Sequence, residues 1–287
     1  MSDQILREEV LQFGDDARLF GILTVPRVPQ HRTQKQPVFV FLSSGFLPRV
    51  GPRRLYVRLA RTLALSGFIS FRVDLSGRGD SNGRAELRNE QSLLADYREI
   101  VSILEARLGQ SQFVLGGLCS GADNALVLAQ VDQRVVGLLL MDPTCYPDDG
   151  FRVRKLFRKY TKVARYVVWL RQRVGLLMGL REERANDEQI YTPLAIGDLP
   201  TLEQMRAAFQ AVCGRKGRVL SVFTSEAEEH GCYNQLGQLG RVLRLPDYAQ
   251  YCTERFYPAA AHTFTLEQHR RRLLDEVKEW AAGYLQP

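Results

Sequence analysis

Gly117-Leu118-Cys119-Ser120-Gly121 sets a thiol between two glycines, directly after the apolar stretch Gln112-Phe113-Val114-Leu115-Gly116. A glycine two residues to either side of a nucleophile marks a sharp turn from buried strand to helix. The central residue takes strained backbone angles there, and its side chain stands clear above the sheet. The flanking positions are glycine because a Cβ would collide with the neighbouring strand and helix. With cysteine at the crest, the chemistry available is attack by a thiolate. The competing reading is a buried structural cysteine at a glycine-punctuated strand end. The residues around the pentapeptide have to decide between the two.

Nucleophilic chemistry needs a base, and the four histidines differ in where they fall. His31 lies in a Pro/Gln-rich connector, Pro26 to Pro37, and His269 well inside the last helix. His230 follows an apolar strand as a surface or pocket-lining residue. His262, in Ala261-His262-Thr263-Phe264, sits in a loop after a strand with a helix just beyond it. Such a loop can present an imidazole to a partner on a distant turn.

The elements that must position these groups alternate along the chain. Ile5 to Phe13 and Arg18 to Val25 read as two strands joined by a turn at Gly14-Asp15-Asp16. Val38 to Leu42 is continuously apolar, as in a strand buried on both faces of a parallel sheet. A helix follows with Leu55, Leu59, Leu63 and Ala64 on one stripe, and Gly67 ends it. Strands are expected over Phe68 to Leu75, Gln112 to Gly116, Val135 to Met141, Val219 to Phe223 and Tyr251 to Tyr257. Helices are expected over Ser92 to Leu108, Ser120 to Gln130 and Thr265 to Leu285. In the last, Thr265 and Gln268 form a capping box, and Leu266, Leu273, Val277, Trp280 and Tyr284 face inward. This alternation gives an α/β fold with a mostly parallel central sheet covered by helices on both faces.

The 287 residues carry 45% hydrophobic and 25% charged residues, ordinary for a globular protein. No apolar run reaches the ~20 residues of a membrane span, and Met1-Ser2-Asp3-Gln4 does not read as a signal peptide. Five scattered cysteines without a Cys-x-x-Cys pair argue for reduced thiols in the cytoplasm, and against a disulfide scaffold or a zinc site. No cofactor motif is found. The net charge is +7, yet Phe151 to Arg184 alone holds eleven Lys/Arg against two Glu, which leaves −2 for the rest.

Three further segments make the chain resemble the α/β-hydrolase superfamily from about Val38 to the C-terminus. Ser44-Gly45-Phe46 follows the first parallel strand, where that superfamily keeps an oxyanion loop. Asp74 to Ser81 resembles its Asp-x-x-Gly-x-Gly-x-Ser stretch, and His262 falls at the catalytic histidine's place. Ser44 to Pro52, with its Arg-Val-Gly-Pro, and Gly117-Leu118-Cys119 also resemble the hydrolases associated with exosortase systems. The resemblance implies Cys119 as nucleophile, His262 as base, and an oxyanion hole from the N–H groups of Phe46 and Ser120. Ser120 itself is a poor nucleophile candidate, since a shift by one residue would waste both glycines. The acid is expected after the strand ending at Phe223. Glu228 fits best, three positions after Ser225; Glu226, Glu229 and, at the end of the preceding strand, Asp142 stay open.

The hydrolase core is assigned to residues 1–143 and 200–287, and a basic helical lid to 144–199. Within the lid, Val153, Leu156, Phe157, Tyr160, Val163, Val167 and Val168 recur at helical spacing, opposite Arg154, Arg158, Lys162 and Arg165. The apolar face is expected to cover an acyl pocket. The basic face is either solvated or docks an anionic partner, namely an acyl carrier protein or an acidic membrane surface. Nucleic acid is not expected, because no recognition module is present. The function expected is acyl hydrolysis of a small ester or thioester, with acyl transfer to an amine or alcohol as one alternative and a non-catalytic binding module as another.

Overall fold

The apolar strands pair into one eight-stranded sheet in the computed structural model of the protein, which describes residues 6–27, 36–84, 86–87, 89–161 and 199–285. In chain order the strands are β1 (Leu6–Phe13), β2 (Leu19–Pro26), β3 (Val38–Leu42), β4 (Ser70–Asp74), β5 (Phe113–Leu118), β6 (Val135–Met141), β7 (Arg218–Thr224) and β8 (Cys252–Tyr257). Across the sheet they run β1-β2-β4-β3-β5-β6-β7-β8. The β1–β2 hairpin joins antiparallel at one edge, and every pair from β4 to β8 is parallel.

Alternating side chains divide the core between the two faces. Val38, Val40 and Leu42 of β3 pack with Leu115, Leu138 and Phe223 under α2 (Asn89–Leu108), α3 (Ser120–Val131) and α5 (Leu202–Gly214). Phe39 and Phe41 point the other way, with Val114, Leu139 and Val222, under α1 (Leu55–Leu65) and α9 (Glu267–Ala282). A strand buried on both faces has no polar alternation, which is why these segments read as unbroken apolar runs. The remaining helices are α4 (Phe151–Thr161), α6 (Ser225–Glu229), α7 (Gln238–Leu243) and α8 (Tyr248–Tyr251). The architecture is the α/β-hydrolase fold.

This topology creates one special crevice. From β3 the chain moves to one side, to β4, and then returns to the other side, to β5. Loops leaving the carboxyl ends of β3 and β5 therefore diverge. The space between them is where open α/β sheets receive ligands.

Two expectations about helix surfaces need correction. The last helix starts without the Thr265–Gln268 box: its N-cap is Leu266, with no side-chain cap, and the Thr265 hydroxyl instead meets Thr263 at 3.1 Å. Arg270 folds back onto the carbonyls of Phe264 and Thr265 at 2.6 Å each, and Leu266 is 53% exposed. The second concerns α4. Phe151 is buried, and Arg154 turns inward to ion-pair with Asp148 and to reach Asn234 Oδ1 at 2.9 Å. Val153, Leu156 and Phe157 are therefore exposed. A charged anchor facing two largely buried partners has taken the inward face. The side chains of Arg158 and Tyr160, and the positions Lys162, Val163, Arg165, Val167, Val168 and His31, lie outside the described residues.

Candidate active site

Cys119 is the junction of β5 and α3, with φ 53° and ψ −123°. A non-glycine residue at positive φ costs on the order of 1–3 kcal/mol, so the surroundings must impose it. They do so from both sides. The Cys119 N–H donates to Met141 O at 2.8 Å, and the Cys119 carbonyl accepts from Ala122 and Asp123 at 2.8 and 3.0 Å. The buried Tyr56 hydroxyl of α1 accepts the Leu118 N–H at 2.7 Å. A Cβ on Gly117 would run into the Gly121 backbone, and one on Gly121 would lie 2.7 Å from Leu42 O. Both glycines are thus required by a close approach of strand to helix. The thiol sits at the N-terminus of the twelve-residue α3.

His262 comes to this thiol from the loop after β8. Its ring is hydrogen-bonded to the Cys119 side chain, while Nδ1 lies 2.7 Å from Asp142 Oδ2. With Nδ1 occupied by the carboxylate, Nε2 is the nitrogen left for sulfur. Burial disfavours the charged ring, but Asp142 and Cys119 outweigh it and carry the His262 pKa up to about 10. A pKa of that height favours the protonated ring, which lies between the Asp142 carboxylate and the Cys119 sulfur.

The carboxylate on the ring is Asp142, which corrects the expectation of Glu228, or Glu226, in that place. Asp142 directly follows β6 at φ 44°, with its N–H on Val222 O at 2.7 Å. Its carboxylate accepts from the Thr224 N–H and hydroxyl at 2.6 Å each, so the end of β7 supplies donors for it. Glu226 braces the histidine loop instead, its Oε1 accepting the His262 backbone N–H at 3.1 Å. Ser225 reinforces the same loop through Ala260 O, by N–H at 3.1 Å and by hydroxyl at 2.9 Å. Glu228 and Glu229 complete the short helix α6. Asp123, in the first turn of α3, holds Thr144 by N–H and by hydroxyl at 2.8 Å each. This fixes the chain just beyond Asp142. Burial raises the Asp123 pKa to about 6 against those two bonds.

The loop after β3 closes over the elbow. Gly45 N–H donates to Ser120 Oγ at 2.8 Å, and Leu47 N–H to Ser44 O at 2.8 Å. Asp74, at the end of β4, takes the N–H and guanidinium of Arg49, and Asp80 N–H at 3.1 Å. The bonds that hold loop and elbow therefore leave the N–H groups of Phe46 and Ser120 out, among the described residues. Of the residues read from sequence, Cys119 and His262 meet; Ser120 opens α3 directly after the thiol, and Phe46 follows Gly45 in the loop that bonds the Ser120 hydroxyl. Tyr56, Thr224 and the Ser120 hydroxyl belong to the site without having been legible as such. Among the described residues no group of acidic, histidine and cysteine side chains could hold a metal ion.

The sequence pattern of the serine aminopeptidase S33 family matches residues 39–211, more than half of the chain and the part that contains the elbow. The protein belongs to that family. As an S33-family member it is an α/β hydrolase, and solved structures of this fold resemble it over nearly their whole length. An α/β serine hydrolase homologue from Coxiella burnetii is 15% identical, with 95% of this chain and 96% of that one covered at a TM-score of 0.55. An esterase from Pyrococcus furiosus is 12% identical, covering 98% and 91%, also at 0.55. Dienelactone hydrolase from Anabaena variabilis is 14% identical, covering 98% and 99%, again at 0.55. At such identities the likeness is one of fold. Among curated proteins none matches the S33-family chain closely enough to count as a relative.

Proposed function

We propose that this S33-family protein is a cysteine-dependent acyl hydrolase, an esterase or thioesterase that works through Cys119, His262 and Asp142. The observation that carries the reading is a thiol on a strained crest, hydrogen-bonded to a ring whose other nitrogen rests on a buried carboxylate. The family's description names serine, and cysteine in the nucleophile's seat changes the resting state. An alkoxide is too basic to exist beside an imidazolium, whereas a thiolate is a stable partner for one and can stand ready before substrate arrives.

The thiolate attacks the acyl carbonyl, and the oxyanion is received by the N–H groups of Phe46 and Ser120. Collapse expels the alcohol or thiol, protonated by His262 Nε2–H, and leaves an acyl thioester on Cys119. The neutral ring then takes a proton from water, which attacks the thioester. The acid departs, and the Cys119 thiolate and the imidazolium are restored. Asp142 keeps the ring oriented and stabilises its charge throughout. The lid assigned to residues 144–199 belongs to this reading, and its residues 162–198 lie outside the described ones. Arg152 and Lys155, exposed beside Val153, Leu156 and Phe157, give an anionic carrier or surface a place to dock. The exosortase-system likeness rests on residues 44–52 and 117–119.

Cys119→Ala is expected to lower turnover of short p-nitrophenyl esters or acyl thioesters by about 10³-fold or more while the protein remains folded. Intact mass after mixing with an activated acyl donor should show one acyl group on the wild type and none on the variant. Wild-type turnover in Cys119→Ala would end the assignment. Amide formation on adding an amine, at the expense of free acid, would move the reading from hydrolysis to acyl transfer.

A further inference from the structure

One peptide group near the thiol is held from an unexpected direction. Arg78, in the loop after β4, donates from Nε to Gly45 O at 2.6 Å. That carbonyl belongs to the same peptide unit as the Phe46 N–H. On the other side of Gly45, its own N–H is fixed on Ser120 Oγ. The arginine's backbone is well anchored. Its N–H bonds Leu75 O at 3.0 Å and its carbonyl accepts Ser81 N–H at 2.9 Å. Asp96 holds the adjoining Ser76 by N–H at 2.7 Å and by hydroxyl at 2.6 Å. Among the described residues, Gly45 O is the one hydrogen-bond acceptor of the Arg78 side chain. The guanidinium is partly buried there.

Gly45 has φ 53°, and a Cβ placed on it would meet no atom within 4 Å. A glycine with open space around it imposes little on the peptide that follows, so rotation of the Gly45–Phe46 unit is cheap unless something holds it. A trans peptide is planar, with C=O and N–H pointing in opposite directions. Fixing the oxygen on Arg78 therefore fixes where the Phe46 N–H points. A charged donor on the carbonyl also polarises the amide and strengthens its N–H as a donor.

We propose that Arg78 is a positioning residue for acyl transfer at Cys119, holding the Gly45–Phe46 peptide with its N–H turned toward the developing oxyanion. The inference rests on the function proposed above and goes beyond it, since it assigns control of the oxyanion hole to a side chain on the β4 loop. Arg78 touches neither thiol nor substrate in this role. Its loss should appear in the chemical step and not in the nucleophile.

The test uses Arg78→Ala, Arg78→Gln and Arg78→Lys in the full chain. Deleting an oxyanion donor outright costs about 10²–10³ in kcat, so misdirecting one should cost about 10- to 100-fold, with KM within about twofold. Affinity for an aldehyde substrate analogue, which forms a hemithioacetal and needs the same hole, should fall in step with kcat/KM. Alkylation of Cys119 by iodoacetamide, which needs the thiolate but no oxyanion hole, should keep its wild-type rate. Arg78→Lys should retain more activity than Arg78→Gln, and added guanidinium ion should restore part of the loss in Arg78→Ala. If Arg78→Ala fails to fold, the Gln and Lys variants decide. Wild-type kcat in Arg78→Gln, with Cys119-dependent turnover intact in the parent, overturns this inference alone. Equal losses in alkylation and in kcat overturn it too, because the elbow itself would then have moved. Turnover that does not depend on Cys119 in the parent removes the function and this inference together.

Discussion

An imidazolium held between Asp142 and the Cys119 sulfur behaves differently from the neutral histidine of a serine hydrolase, and the difference is measurable in two ways. Asp142→Asn leaves Nδ1 without a charge to face and permits the wrong tautomer. In a serine triad that change costs about 10⁴ in kcat. With a thiolate that needs less help, a loss of about 10²-fold or more is expected. Glu228→Gln should stay within a few-fold of wild type in the same ester assay. Stability supplies the second signal. The folded His262 pKa, at about 10, stands above the ordinary value of 6.5, so the folded state binds the proton more tightly than the unfolded chain. The stabilisation is complete below pH 6.5 and is lost as pH rises through 10. Urea midpoints of wild type and Asp142→Asn should therefore differ most near pH 6 and converge toward pH 10. A gap that widened with pH would contradict the ion pair.

Strands and loops, not the reactive residues themselves, decide whether those groups can meet. Cys119 follows β5, Asp142 follows β6, Thr224 closes β7 and His262 follows β8, so four neighbouring carboxyl ends build the site. The elbow depends on Gly117 and Gly121 lying against each other and against Leu42 O. Gly117→Ala and Gly121→Ala should each destabilise the fold by about 1–3 kcal/mol, read from urea unfolding, and should lose far more activity than that figure alone implies. The elements were legible in the sequence because burial on both faces leaves an unbroken apolar run. The elbow was legible because a close approach leaves only glycine possible. Asp142 was harder to read, since Asp-Pro at a strand end is ordinary punctuation and its ring partner is 120 residues away. What selects it over Glu228 is the parallel pairing of β6 with β7. That pairing sets Asp142 beside the N–H and hydroxyl of Thr224, a relation with no local pattern. Arg78 was hidden for a similar reason: its partner is a backbone carbonyl, which no residue type announces.

Charge is spread unevenly over the whole molecule, and the described part of the basic segment divides into inward anchors and solvent-facing cations. Asp148 ion-pairs with Arg154 of α4 and with Arg241 of α7, the latter at 2.7 Å, while Arg154 also reaches Gln238 Oε1 at 3.2 Å. This network ties α4 to the core although three of its apolar side chains are exposed. Arg154→Ala should remove charge-assisted bonds from a largely shielded place and cost about 1.5–3 kcal/mol, measured as a lower urea midpoint. Arg152 and Lys155 face solvent, so the double variant Arg152→Glu/Lys155→Glu should leave that midpoint within about 0.5 kcal/mol of wild type. Its effect belongs elsewhere. Two charge reversals on this exposed face should weaken co-sedimentation with anionic vesicles, most clearly at low salt, where the screening length exceeds ~10 Å. Unchanged sedimentation at low salt would make these cations merely solvated. If Arg154→Ala reduced vesicle binding without lowering stability, the inward anchor would have to be reassigned to the surface.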